Sequence, residues 1–257
     1  MIDLDAISDG LARDDFFLEY LPTIALEDGR CVGAEALIRW RRPNGIIQPA
    51  DFIPLIENTP LSGLITYWVI ETAAAELGAW LRLHDGVHLS INVPPEILGR
   101  GGLEYAAVKS GLRDVAGKLV LEVTERGVPD KLGIEALASA TRYGVRVALD
   151  DVNVSGANMI VLSRCHVEII KLDRTLVAEL AWAGDPPSWL ANLAALLRTS
   201  NLEVIAEGVE SAAQRDILRD AGVRMAQGFF FSPPLRAEQF LAFFDASRAG
   251  NPPAERS

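Results

Sequence analysis

Two aspartates, Asp150 and Asp151, stand side by side at the end of the apolar run Val147-Ala148-Leu149. One carboxylate of such a pair can bridge two divalent cations while its neighbour binds the second, as metal-assisted phosphodiester hydrolysis requires. Other polar groups bear the same relation to other apolar runs. Glu35 belongs to Gly33-Ala34-Glu35-Ala36-Leu37, Asn92 is late in its run, and Glu122 lies near the end of Val120-Leu121-Glu122-Val123. Glu207 follows Val204-Ile205-Ala206, Lys171 interrupts Ile169-Ile170-Lys171-Leu172, and Gln227 precedes Gly228. A lone residue of this kind is ordinarily a cap or a solvated strand end. Repetition changes the reading, because charges inside apolar strands are costly unless paired or bound to metal. Converging carboxylates would repel one another unless a cation neutralised them.

Oxygen ligands with one amide suit Mg²⁺, Mn²⁺ or Ca²⁺ better than zinc. The histidines, His84, His88 and His166, fall outside the set and read as ordinary surface or core residues. Gly99-Arg100-Gly101-Gly102 lacks a phosphate-loop pattern and reads as a plain loop. The residues alone leave three classes open. Glu122 and Glu207 could serve a glycosidase. A lysine among metal-binding carboxylates could abstract a proton beside a carboxylate, as in enolase-like sites. Metal-assisted phosphodiester hydrolysis is the third, and the adjacent aspartates favour it.

These groups can meet only if the elements carrying them converge. Strand patterns fall at Phe17–Leu21, Val32–Ile38, His88–Val93, Leu119–Val123, Val145–Leu149, Ile169–Leu172, Val204–Ala206 and Met225–Phe229. Helical patterns separate them. Leu61–Leu83 has an apolar face through Leu64, Trp68, Ala75 and Leu77, Lys131–Tyr143 is shorter, and Trp189–Leu197 follows Ser188 as its cap. Leu4, Ile7 and Leu11 predict a short amphipathic helix ahead of the first strand. The alternation and the length of 257 residues fit a (β/α)8 barrel, whose strand ends converge on one face. An open doubly wound sheet would give the same alternation.

A net charge of −11 and no clustered run of Lys and Arg argue against a polynucleotide partner. An acidic protein handling phosphate would need cations to offset its own repulsion. Cys31 and Cys165 are in no ligand-like spacing and read as reduced thiols. The start of the chain lacks a signal-peptide pattern, and Glu71, Glu76 and Arg82 interrupt the best candidate for a membrane span. A cytoplasmic protein without membrane insertion is expected. Gly184-Asp185-Pro186-Pro187 reads as a loop. One domain is expected over residues 1–248, with a flexible tail over 249–257 rich in Gly and Pro.

The runs carry further matches. Glu35-Ala36-Leu37-Ile38-Arg39-Trp40, Phe52-Ile53-Pro54, Ser90-Ile91-Asn92-Val93 and Glu122-Val123-Thr124-Glu125 appear in order. Asp150-Asp151, Lys171-Leu172-Asp173, Ala206-Glu207-Gly208-Val209-Glu210 and Ala226-Gln227-Gly228 follow. Together they resemble the EAL-domain cyclic-di-GMP phosphodiesterase family from about Leu18 to Phe244. The resemblance implies an α/β, (β/α)8 TIM-like barrel with its first strand antiparallel. It implies hydrolysis of cyclic di-GMP to linear 5′-pGpG with two ions of Mg²⁺ or Mn²⁺. Glu35, Asn92, Glu122 and Asp150 would hold one ion, and Asp150 would bridge to a second near Asp151 and Glu207. Lys171 would orient the attacking water, Arg39 would clamp a phosphate, Gln227 would complete the pocket floor and Glu125 would brace the loop after the aspartates. A homodimer is implied, and a sensory or output domain can accompany this kind of domain.

The chain departs from the family pattern after the aspartates. Asp150-Asp151-Val152-Asn153-Val154-Ser155-Gly156-Ala157-Asn158 replaces the usual Asp-Asp-Phe-Gly-x-Gly, so the aromatic is lost and two glycines become Asn153 and Ser155. Asn accepts positive φ more readily than Ser. Leu21 stands where a glutamine is usual, and Pro60 where a glycine is usual. These changes motivate a second expectation, a weakly catalytic receptor for cyclic di-GMP.

Overall fold

The apolar runs become strands of one sheet that closes on itself. The computed structural model describes residues 2–124, 129–152, 166–181 and 187–249. The strands are β1 (Phe16–Ala25), β2 (Cys31–Arg42), β3 (Gly45–Ile47), β4 (His88–Asn92) and β5 (Leu119–Thr124). They continue as β6 (Arg146–Val152), β7 (Ile169–Leu172), β8 (Glu203–Ala206) and β9 (Met225–Ala226). The order runs β1-β9-β8-β7-β6-β5-β4-β2-β3, and β1 also pairs with β2, which closes the barrel. β1 is antiparallel to both β2 and β9, whereas β2, β4, β5, β6, β7, β8 and β9 are parallel in turn. A short turn can join antiparallel neighbours, and residues 26–30 between β1 and β2 include Gly29 at φ +72°. The parallel steps need longer crossovers, which the helices supply. The fold is the expected (β/α)8-like barrel.

The helices are α1 (Leu4–Ala12), α2 (Pro49–Ile56), α3 (Pro60–Leu83), α4 (Gly102–Lys109) and α5 (Lys131–Arg142). They continue as α6 (Arg174–Glu179), α7 (Ser188–Thr199), α8 (Ala212–Asp220) and α9 (Ala237–Arg248). No helix among the described residues is long and apolar enough to cross a membrane.

Strand side chains alternate between barrel interior and helix layer. Val120, Ala148, Ile169 and Ile205 form their own buried cluster, with Met225 packed against it. Each of the four lies two residues before a functional position: Glu122, Asp150, Lys171 or Glu207. An apolar plug thus fills the barrel beneath the polar groups. Two residues further back, Arg146 and Glu203 form an ion pair at 2.8 Å. Phe16, Trp40 and Phe52 face the helix layer, with Phe16 stacked on Trp40 at 5.3 Å between centroids.

Several boundaries differ from the expectations above. β9 ends at Ala226, and Phe229 is exposed, because Gly228 at φ +155° lets the backbone lie against that of Val209. Leu64 and Ala75 are on the solvent side of α3; its buried line runs Ile65, Val69, Ala73, Leu77, an unbroken i, i+4 series. Ser188 is the first residue of α7, whose N-cap is Pro187 without a side-chain bond. β3, a hairpin strand pairing Trp40 with Ile47, lies outside the expected elements. Pro60 has a structural reason: it opens α3 just after the cap Thr59, where no helical N–H is required. Glu125, Asn153, Val154, Ser155, Gly156, Ala157, Asn158, Cys165, Gly184, Asp185, Pro186 and tail residues 250–257 lie outside the described residues.

Candidate active site

Lys171 is 1% exposed, and its ammonium is the centre of the site. Nζ lies 3.0 Å from Glu35, 2.9 Å from Glu122, 3.2 Å from Asp150 and 2.6 Å from Glu207. The β2, β5, β6 and β7 positions are interior by alternation, and Glu207 follows β8 directly. Asn92, at the end of β4, donates from Nδ2 to Glu35 at 3.0 Å. The structure therefore brings together Glu35, Asn92, Glu122, Asp150, Lys171 and Glu207, from six different strands or the residue just after one.

Asp151 joins them through an irregular backbone. The β6–β7 register shifts between Leu149 and Val152, and Asp151 has φ +56°. A bulge of this kind re-aims a side chain where regular alternation would send it outward. Asp150, Asp151 and Glu207 each offer an oxygen, all within 4.8 Å of one another.

Charge governs the site. Burial alone would lower the Lys171 pKa, but the surrounding carboxylates hold it well above the usual lysine range. Burial raises Glu122 well above the carboxylate range, and the charge of Glu35 adds to the rise. Burial also pushes Glu207 up to about 8, with Asp150 and Glu35 adding repulsion that Lys171 does not cancel. Glu35 shifts down: burial opposes this, but the Lys171 charge and the Asn92 hydrogen bond outweigh it. One ammonium cannot satisfy four carboxylates. Glu122 Oε1 and Asp150 Oδ1 are buried without a hydrogen-bond partner, the latter within ion-pair distance of Lys171 but outside hydrogen-bond geometry. Orphaned oxygens in an all-oxygen donor set fit hard divalent cations.

Beside this ring lies a cavity of about 790 Å³ that reaches Glu35, Asn92 and Asp151. Ile38, Pro49, Ile53 and Ile65 give it apolar walls, and Glu96 and Arg100 add polar groups. A volume in the range of small-ligand sites, several hundred Å³, accommodates a nucleotide.

Two expected binding residues are arranged differently from the ring. Arg39 is buried, but its Nε donates to Glu19 at 2.8 Å and Nη1 to the Ile38 carbonyl at 3.0 Å. Gln227 donates to Thr23 Oγ1 at 3.0 Å, and its own Oε1 is buried without a partner. Glu19, Thr23 and Ser90 lie among these groups although their positions in the sequence assign them no role. Ser90 is buried with Oγ unpartnered, pairs in register with Glu35 and sits two residues before Asn92, a period-two signal available in the sequence. Leu21 is the register partner of Glu35, so the amide expected there is replaced by an apolar side chain beside Glu35.

The closed ring, the antiparallel β1 and the acidic groups at the strand ends define a TIM-like barrel with a cation-fitted site at its carboxyl mouth. The chain belongs to the EAL-domain family, whose model matches residues 4–234. It is similar to the bifunctional diguanylate cyclase/cyclic di-GMP phosphodiesterase MucR of Pseudomonas aeruginosa, with 34% identity over 93% of this chain and 36% of that protein. It is also 31% identical to the probable cyclic di-GMP phosphodiesterase PdeB of Escherichia coli, over 91% of this chain and 46% of that protein. The chain thus spans less than half the length of these curated relatives. Among solved structures, the PaMucR phosphodiesterase in complex with c-di-GMP matches with TM-score 0.82 and 32% identity, covering 92% of this chain and 98% of that one. The EAL enzyme Bd1971, in its cAMP- and cyclic-di-GMP-bound form, matches with TM-score 0.84 and 27% identity, over 93% and 67% of the two chains.

Proposed function

We propose that this domain is a metal-dependent phosphodiesterase that hydrolyses cyclic di-GMP to linear 5′-pGpG. The observation that carries the reading is the buried ring around Lys171, with orphaned carboxylate oxygens beside a nucleotide-sized cavity. The relatives' naming for cyclic di-GMP supports the substrate. Glu35, Asn92, Glu122 and Asp150 would hold one divalent ion, Mg²⁺ or Mn²⁺, and Asp150, Asp151 and Glu207 a second. When bound, such ions lower the pKa of water and offset negative charge on a phosphoryl group.

The chain's own residues do the rest. Water gives up one proton as its oxygen attacks phosphorus, the P–O3′ bond breaks, and the 3′ oxygen takes up a proton from solvent to leave as a hydroxyl. Lys171 keeps a proton on Nζ in a dry site, so it can orient the water and stabilise charge building on the phosphoryl oxygens. Glu207, when ionised, is placed to accept a proton. The apolar walls exclude bulk water around the sugar and base. Cyclic di-GMP is the partner in this reading; homodimerisation and an accompanying sensory or output domain belong to the same proposal.

The test is product analysis with purified protein and Mg²⁺ or Mn²⁺. Formation of pGpG that is lost in Glu35→Ala supports the reading, and unchanged turnover in that variant sinks the metal assignment. A second reading, a receptor that binds cyclic di-GMP without hydrolysing it, is favoured by Leu21 and by the altered sequence Val152-Asn153-Val154-Ser155. Tight binding with negligible pGpG would select it.

A further inference from the structure

Arg39 cannot supply much free positive charge to this mouth, because Glu19 already offsets it at 2.8 Å. The uncommitted charge lies next to it. Arg41 sits two residues on along β2, about 7 Å away and on the same side of the strand. Its guanidinium carbon lies 5.0 Å from the centroid of the Phe17 ring. Arg236, the N-cap residue of α9, places its own guanidinium carbon 4.4 Å from the same centroid. Phe17 is the register partner of Arg39, so Arg41 and Arg236 flank that pair toward the carboxyl end of β2.

Arg41 and Arg236 are exposed, and neither guanidinium forms an ion pair among the described residues. Their shared ring holds the two like charges within roughly a Debye length of each other, about 10 Å. The acidic groups on the elements packed here are Glu19, committed to Arg39, Asp15, whose backbone carbonyl accepts from the Arg41 amide, Glu238 in the first turn of α9, and Glu76 of α3, which accepts from the Tyr20 hydroxyl within reach of the Arg236 charge. None of their carboxylates pairs with either arginine. Two guanidiniums against one aromatic ring form a concentrated positive spot on a chain of net charge −11. The chemistry they would recognise is a phosphate, which takes guanidinium donors, while the buried Phe17 ring holds the two side chains in place.

We propose that Phe17, Arg41 and Arg236 form a phosphate-binding rim that captures a phosphate-bearing ligand before it enters the acidic site. A nucleotide approaching the carboxylate ring meets a repulsive field, and a local cationic spot raises its encounter rate. The capture role rests on the proposed phosphodiesterase reading, whereas the anion site itself does not.

The first test titrates inorganic pyrophosphate into the metal-free full chain and follows binding by calorimetry. Saturable binding is expected, weakened at least tenfold in Arg41→Glu/Arg236→Glu and unchanged in the charge-matched control Arg13→Glu/Arg142→Glu. Absence of saturable binding, equal affinity in the rim variant, or equal weakening in the control overturns the site. The second test measures cyclic di-GMP association by stopped flow with Ca²⁺ present. The rim variant should associate at least fivefold more slowly at low salt, with dissociation unchanged and the difference closing at high salt. An unchanged association rate overturns the capture role. Pyrophosphate binding without any cyclic di-GMP binding would instead overturn the proposed substrate and leave the rim standing.

Discussion

Lys171 offsets part of the repulsion among the Glu35, Glu122, Asp150 and Glu207 carboxylates. Removing one partner of a buried charge network costs about 3–5 kcal/mol. Lys171→Met should therefore destabilise the metal-free protein by about that much in urea titrations, with Mg²⁺ or Mn²⁺ recovering part of the loss. Wild-type stability in that variant would mean the carboxylates are neutralised by their own protons instead. The ring also predicts unequal isosteric variants. Glu122 is pushed toward its protonated form by burial, whereas Glu35 is held ionised by Lys171 and Asn92. Glu122→Gln should accordingly change metal-free stability by less than about 1 kcal/mol and Glu35→Gln by more, while both weaken Mn²⁺ binding in calorimetry. Equal stability losses would contradict the charge assignment. The acidic members of the ring were legible in the sequence because each interrupts or ends an apolar run. The tie between Arg39 and Glu19 was not, since Glu19 reads as an ordinary polar strand residue and its partner is set by β1–β2 register.

The strands were legible for the same reason that the ring is buried: Val120, Ala148, Ile169 and Ile205 supply the interior apolar positions two residues ahead of the chemistry. The phase of α3 was harder to read, because apolar residues surround it and only packing decides that Leu64 faces solvent. The short β9 was over-read because Phe229 and Phe230 continue its apolar pattern past Gly228. One contact that no periodicity reveals joins β2 to β4. A Cβ on Gly33 would come 2.3 Å from His88 Nε2, and the ring cannot retreat from a buried site beneath Ser90. Gly33→Ala should destabilise the barrel by about 1–3 kcal/mol through overpacking, and adding His88→Ala should relieve part of that loss. Additive losses in chemical denaturation would show that the two residues do not meet.

The molecule as a whole carries excess negative charge, and its most concentrated part is the candidate site. Burial pushes Glu207 up to about 8 from an ordinary 4.5, and Glu122 shifts in the same direction. Both groups therefore bind protons more tightly when folded, so their stabilisation is complete below the ordinary carboxylate range; that of Glu207 is lost as pH rises toward 8, and that of Glu122 is likewise lost on the alkaline side. Glu35 shifts the other way, and its contribution is lost only on the acid side of 4.5. His88, pushed down to about 3 by burial, loses its stabilising contribution as pH falls below 6.5. Between pH 6.5 and 8 the carboxylate effect is thus the one left acting among these groups. The melting temperature of EDTA-treated protein should fall across that window. Added Mg²⁺ or Mn²⁺ competes with protons for the same oxygens, so its stabilisation, which grows as ion concentration exceeds the Kd, should increase with pH. Scanning calorimetry with and without the ion checks both slopes together. A flat metal-free profile would show that the buried carboxylates are already ionised at pH 6.5, and a metal effect independent of pH would place the ion on groups other than Glu122 and Glu207.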